Sequence, residues 1–167
     1  MRRDTIAVGS FEVNTSIIEV NGEVYIVDPG AEAERIISRI EKLSKVPKAI
    51  LLTHAHFDHI GAVAQLQSKY KNLPVCVSSQ DRQVIAHPFN QYPPEYPAVR
   101  LFENIVEPSE FLESAQIIPT PGHTPGGVCY YFKEDKVLFS GDTLFRQSIG
   151  RTDLPGGDMR SLMKSLT

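Results

Sequence analysis

Apolar and polar positions alternate in short runs through the start of the chain. Thr5-Ile6-Ala7-Val8, Thr15-Ser16-Ile17-Ile18-Glu19-Val20 and Glu23-Val24-Tyr25-Ile26-Val27 read as strands. The last two are joined by Asn21-Gly22, whose residues tolerate positive φ and so favour a tight hairpin. Asp28-Pro29-Gly30 then stops the strand. From Ala31 to Ser44 the period becomes helical. Ile36, Ile37, Ile40 and Leu43 share one face, and Glu32, Glu34, Arg35 and Lys42 form a solvated one. Ala49-Ile50-Leu51-Leu52 is an unbroken apolar run, the pattern of a buried strand. Helical spacing returns from about Ile60 to Tyr70. A short strand at Pro74-Val75-Cys76-Val77 and a short helix from Gln80 to Ala86 follow.

Residues His87 to Pro97 differ in character. Four prolines and three aromatics exclude a regular helix or a central strand there. A long loop at that point could form a lid or a substrate wall. The second half is strand-rich: Phe111-Leu112, Ala115-Gln116-Ile117-Ile118, Val128-Cys129-Tyr130-Tyr131-Phe132 and Val137-Leu138-Phe139-Ser140, with Lys133-Glu134-Asp135-Lys136 as a polar turn. A last helix runs from Asp158, a plausible N-cap, to Leu166. Strand-rich halves with helices between and after them predict an α+β domain over residues 1–167, with two sheets packed face to face and helices outside.

The polar residues are not spread evenly. Three histidines and an aspartate, His54, His56, Asp58 and His59, fall within six residues just after the apolar run. His54 and His56 point the same way in an extended backbone and can grip one ion from one side. A chain turning into a helix at Asp58 presents Asp58 and His59 to a second ion. His123 sits between Pro121-Gly122 and Pro125-Gly126-Gly127, a rigid loop that presents one side chain. Asp142 follows the strand Val137–Ser140. Imidazole with carboxylate suits zinc, iron or manganese. The side chains of His54, His56 and His123 are therefore expected to converge within about 8 Å of one another, since ligand nitrogens lie about 2.0–2.1 Å from zinc. His87, with nothing metal-like around it, reads as a surface or packing residue.

Thr53-His54-Ala55-His56-Phe57-Asp58-His59, Pro121-Gly122-His123-Thr124-Pro125-Gly126-Gly127 and Ser140-Gly141-Asp142-Thr143-Leu144-Phe145 resemble, in order, the metal motifs of metallo-β-lactamase-fold hydrolases. Ile149-Gly150-Arg151-Thr152-Asp153-Leu154-Pro155-Gly156-Gly157-Asp158 resembles a narrower group, the small bacterial glyoxalase II-like hydrolases. The resemblance implies a four-layer αββα sandwich. It implies that His54, His56 and His123 hold one divalent ion, that Asp58 and His59 hold another, and that Asp142 bridges them. Asp58 and Asp142 are the carboxylates implied in catalysis. Zinc is the metal expected first, with iron or manganese as alternatives. The implied reaction is attack of a metal-activated water on a thioester such as a hydroxyacylglutathione. A mono-iron persulfide dioxygenase is the alternative enzyme, and a non-catalytic metal-binding domain is a third reading. By resemblance Asp28 orients ligand histidines; equally, it reads as a turn carboxylate bonding its own backbone. Arg151 is a candidate anchor for an anionic substrate, or a partner of Asp153 or Asp158.

The family usually adds a last histidine after the bridging aspartate, and this chain has none after His123. The expectation is a C-terminally incomplete domain, a weaker second metal site, and self-association through uncovered apolar surface. Composition narrows the partners. Apolar content is 41% and the net charge −3, without the clustered Lys and Arg of a nucleic-acid footprint. No apolar run approaches the ~20 residues of a membrane span, and Met1-Arg2-Arg3-Asp4 lacks the apolar stretch of a signal peptide. Cys76 and Cys129 are far apart and read as inert buried thiols. A cytoplasmic protein acting on a small molecule is expected, with no nucleic-acid or membrane partner.

Overall fold

The computed structural model describes residues 1–91 and 99–167. The chain begins with β1 (Arg2–Val8), β2 (Val13–Val20), β3 (Glu23–Val27), α1 (Ala33–Glu41) and β4 (Pro47–Leu51). Then come α2 (Phe57–Ile60), α3 (Val63–Lys69), β5 (Val75–Cys76), α4 (Arg82–Ile85), β6 (Ile105–Val106) and α5 (Pro108–Phe111). It ends with β7 (Gln116–Pro119), β8 (Val128–Phe132), β9 (Val137–Phe139), β10 (Leu144–Phe145), β11 (Ser148–Ile149) and α6 (Met159–Ser165).

Strands β1 to β6 form one sheet in chain order. Its first half is an antiparallel meander, and β3 to β6 run parallel. Strands β7, β8 and β9 form a separate antiparallel sheet, and β10 pairs with β11. Strand alternation explains why two layers can cover the larger sheet. Ile17, Val24, Ile26, Ile50 and Leu52 face Ile36, Ile37 and Ile40 of α1 and Ile60, Val63 and Leu66 of the next helices. The intervening residues Ile18, Tyr25, Val27, Ala49 and Leu51 face Val128, Tyr130 and Phe132 of β8. Such a sheet, buried on both faces, reads as continuous apolar runs, as in β4. Helix α6 lies against the loop after β7: a Cβ added at Gly122 would meet Leu162 N at 2.3 Å, and Leu162 is fully buried. The Asp158 carboxylate accepts the Ser161 N–H at 2.7 Å and caps α6 as its sequence predicts.

Two local expectations are corrected. The helix expected from Ile60 to Tyr70 is two helices. Ala62 N–H donates across the chain to Pro29 O at 3.0 Å, which takes that amide out of the helical ladder. Phe111 ends a helical turn, not a strand, because Pro108 stands at the start of that turn. Residues Pro88–Gln91 make a 3₁₀ turn; the lid reading of the rest of that loop falls on residues 92–97, outside the described residues. No helix among the described residues is long and apolar enough to cross a membrane.

One hydroxyl ties the two sheets together. Tyr130, fully buried on β8, donates from Oη to Leu52 O at 2.8 Å, just past the end of β4. Tyr130→Phe should cost about 1 kcal/mol, and Tyr130→Ala about 3–5 kcal/mol, through the cavity left between the sheets. Urea unfolding of both variants measures the difference; equal losses would place the hydroxyl's share above that of the ring.

Candidate metal centre

The site lies where strands end. Asp28 follows β3, His54 and His56 follow β4, His123 lies between β7 and β8, and Asp142 follows β9. Such an edge gathers residues far apart in sequence. One ligand atom from each of His54, His56 and His123 lies within 4.8 Å of the others. The same holds for His54, His59 and Asp142. His54 thus belongs to both groups. The expected convergence is met, with His54, His56, His59 and His123 all at 2–4% exposure.

The hydrogen bonds decide which nitrogen each ring offers. Asp28 is the hub. Its Oδ1 accepts the Thr53 N–H at 2.8 Å and its Oδ2 the Thr53 hydroxyl at 2.7 Å. That hydroxyl has spent its proton, so at 3.1 Å it can only accept from His54 Nδ1. The lone pair of His54 is then on Nε2, a buried atom with no hydrogen-bond partner. His59 Nδ1 lies 3.1 Å from Asp28 Oδ2, which turns His59 Nε2 towards Asp142 Oδ1 at 3.2 Å. His123 Nδ1 donates to the Arg151 carbonyl at 2.7 Å, leaving its Nε2 2.9 Å from His56 Nδ1. The second oxygen of Asp142 is 3.5 Å from His123 Nε2, so this carboxylate faces both groups. Asp58 stands further off, its Oδ2 4.0 Å from His59 Nε2.

An orphaned imidazole nitrogen and several inward lone pairs are costly without a cation, so the donor set fits a divalent metal. Electrostatics point the same way. Burial, followed by the rings of His59, His56 and His123, holds His54 well below the usual imidazole range. Burial and His123 pull His56 down to about 3. Both rings are therefore neutral donors at neutral pH. His59 goes the other way: burial opposes its charge, but Asp28 and Asp142 outweigh it and raise it well above the usual range. Burial raises Asp58, while for Asp142 the hydrogen bond from His59 overcomes burial and lowers it.

The metallo-beta-lactamase superfamily profile matches residues 8–167. The chain belongs to that superfamily. It is 35% identical to the hydroxyacylglutathione hydrolase GloC of Haemophilus influenzae, over 99% of this chain and 82% of that protein. It is 34% identical to the probable metallo-hydrolase YqgX of Bacillus subtilis, with the same coverage. Among solved structures it is similar to TTHA1623 in a di-iron-bound form, with a TM-score of 0.85 and 36% identity over 98% of this chain and 83% of that one. It is also similar to BLEG-1, a B3 metallo-beta-lactamase, with a TM-score of 0.83 and 35% identity over 99% and 83%. The αββα architecture expected of the chain is that of these superfamily neighbours.

The structure separates the remaining expectations. Asp28 bonds Thr53 and faces His59 instead of its own turn. The Arg151 guanidinium is forked onto Asp153 with both contacts at 2.7 Å, while its carbonyl holds His123. His87 is exposed, accepts the Phe89 N–H at Nδ1, and joins neither ligand group. Both cysteines are buried, and burial pushes the Cys76 thiol up to about 12. Sequence reasoning missed Asp81 and Asn90. The Asp81 carboxylate accepts from Ala55 N–H, Thr124 Oγ1 and Gly126 N–H at 3.0, 2.9 and 2.6 Å. It thereby fastens the His54–His56 loop to the His123 loop. Gly126 has no Cβ because one would sit 2.6 Å from Asp81 N. Asn90 Nδ2 donates to Ala55 O at 2.8 Å from the other side. Within a short polar helix pattern, nothing marks Asp81 before the loops are assembled around it.

Asp28→Asn replaces an acceptor with a donor opposite Thr53 Oγ1 and His59 Nδ1. It should weaken binding of a second zinc equivalent about 10- to 100-fold, the usual effect of losing a partner behind a metal ligand. Chelator-competition titration reads this directly, and unchanged affinity would remove Asp28 from the metal centre. In the parent protein the second equivalent should also weaken as pH falls, because the raised His59 holds a proton that zinc must displace.

Proposed function

We propose that this chain is a metal-dependent hydrolase that cleaves a thioester of the hydroxyacylglutathione type. The observation that carries the reading is the pair of ligand groups sharing His54, with Asp142 facing both. The 35% identity to GloC over 99% of the chain points to the thioester class. In this reading His54, His56 and His123 hold one cation, Asp58 and His59 the other, and Asp142 lies between. Two cations so held would lower the pKa of a water and polarise the substrate carbonyl.

The chain's own residues supply the rest. Thr53 and the Arg151 carbonyl fix the tautomers of His54 and His123, so their lone pairs are in place before any ligand arrives. Asp28 holds His59 against Asp142. Burial of the four rings keeps bulk water from the histidine side. The side chains of Asp58 and Asp142 are the more exposed members, at 16% and 27%, so a substrate carbonyl approaches from their side. Asp58, on that open side, is placed to take a proton.

Zinc is the metal we propose first; the di-iron form of TTHA1623 makes iron the alternative. BLEG-1 favours a second substrate class, a β-lactam. Likeness to ETHE1 from Myxococcus xanthus, at 22% identity, concerns the fold alone. The deciding experiment measures hydrolysis of lactoylglutathione and of a chromogenic cephalosporin by the metal-loaded protein, with metal analysis of the same sample. Thioester turnover is expected, and Asp142→Ala should lower it by more than about 100-fold together with metal content, since a ligand matters more than the groups behind it. Full activity in Asp142→Ala rules out the two-metal reading. Turnover of the cephalosporin alone replaces the thioester with a lactam.

A further inference from the structure

His56 also forms a wall of a cavity of about 180 Å³. Val84, Phe89, Pro125 and Pro155 give it apolar sides, and Gln83 and His87 add polar groups. A mostly apolar concavity with a few polar groups is the usual make-up of a small-molecule site. At about 30 Å³ per water it has room for about six water-sized groups, which suits a short carbon chain and not a whole cofactor. Its walls are registered to the metal ligands. The segment that carries Gln83, Val84, His87 and Phe89 is fastened at both ends to Ala55, which stands between His54 and His56: Asp81 takes its N–H and Asn90 its carbonyl. The Asn90 amide also donates to Val84 O at 2.7 Å. The Phe89 ring meets His56 edge-on, with centroids 5.5 Å apart. Pro125 belongs to the His123 loop, and Gly156 lies against its ring. The metal centre uses only the Arg151 carbonyl of the 149–158 segment, whereas Pro155 and Gly156 of that segment line this cavity. His87 Nδ1 accepts the Phe89 N–H at 3.1 Å, so in the neutral ring the proton is on Nε2. That N–H has no hydrogen-bond partner among the described residues.

We infer that this cavity receives the acyl group of the substrate, and that His87 donates from Nε2 to a hydroxyl on that group. The inference rests on the thioester reading above and deepens it. The apolar walls cover a short carbon chain, and the His87 N–H meets the oxygen of its hydroxyl. The Gln83 amide oxygen is an acceptor for the hydroxyl proton. A plain acyl group of equal length would cover the imidazole donor without satisfying it, so hydroxyacyl groups are selected over plain ones. His87, outside both ligand groups, is in this role a specificity-determining residue.

The test compares three glutathione thioesters on metal-loaded protein: lactoyl, propanoyl and acetyl. The carrier is the same in all three, so its contacts cancel. In His87→Leu the kcat/KM ratio of lactoyl to propanoyl should fall about fivefold from its value in the parent protein, the size of one hydrogen bond lost. His87→Gln, which restores a donor, should regain part of that ratio. Gln83→Trp, which narrows the cavity, should lower propanoyl relative to acetyl. Gln83 and His87 are both exposed, and circular dichroism and metal content confirm that each variant is folded and loaded. An unchanged lactoyl-to-propanoyl ratio in His87→Leu, whether turnover is intact or both substrates lose equally, overturns the role of His87. An unchanged propanoyl-to-acetyl ratio in Gln83→Trp overturns the cavity as the acyl site. Either result leaves the hydrolase reading standing. If no thioester is cleaved, the hydrolase reading fails by itself. Titration of the zinc-loaded protein with lactate and with propanoate, followed through the His87 ring signals in nuclear magnetic resonance, then decides the inference. Signals that are absent from His87→Leu and shift more with lactate support it, and equal or absent shifts overturn it.

Discussion

The site depends on one buried carboxylate. Asp28 stands just past β3 with a φ of 46°, an uncommon backbone conformation for any residue with a side chain. Its backbone is held from two sides: its N–H donates to Leu51 O at 3.1 Å, and its carbonyl accepts from Thr15 Oγ1 at 2.7 Å. Backbone strain of this kind persists only where the surroundings over-determine it. Here it aims the carboxylate across the parallel pair β3–β4, onto Thr53 and His59. Through Thr53 it sets the tautomer of His54, the ring common to both ligand groups. The orientation of the centre thus traces back to where one strand stops.

This dependence explains the charge pattern among otherwise similar residues. His54 has a hydroxyl behind it and other rings in front, so burial governs and it stays neutral. His59 has a carboxylate on each side, and their attraction exceeds the cost of burial. His54, His56 and His59, all buried, therefore divide into different electrostatic roles, set by their neighbours. A cation entering the His59–Asp142 group must displace a proton that no cation meets at His54 or His56.

Much of this was legible in the sequence, for identifiable reasons. β4 is an apolar run long enough to be read, and the spacing of His54 and His56 after it carries the two-residue period into the loop. The N-cap Asp158 uses a bond within four residues, so local pattern suffices to find it. Asn21-Gly22 likewise joins β2 to β3 as its turn chemistry requires. What stayed hidden depends on contacts between distant segments. β6, β10 and β11 have two residues each, too few to show any period. The break between α2 and α3 comes from a bond to Pro29, on a different loop. Asp81 looks like a surface acid until three donors from two motifs close around it. The roles of Asp28 and Arg151 were open in the sequence for the same reason, since each depends on which neighbour the fold delivers.

The two loops of the centre are held by different means. The His54–His56 loop continues a central strand and is pinned at Ala55 from both sides, its N–H by Asp81 and its carbonyl by Asn90. The His123 loop has no strand under it; Asp81, Arg151 and the packing of Gly122 on Leu162 fix its position. Asp81 is the part common to both. With one carboxylate accepting three hydrogen bonds in a fully buried place, its loss would strand three donors, each costing about 1–3 kcal/mol. The penalty would appear as a change in the distance between His56 and His123, now 2.9 Å between facing nitrogens, before it appeared as unfolding of the sheets. Asp81 bonds the loops that carry the histidines and none of the strands, so the strands can persist while the centre loosens. In this fold the stability of the scaffold and the geometry of the site are carried by different residues, joined chiefly at Asp28.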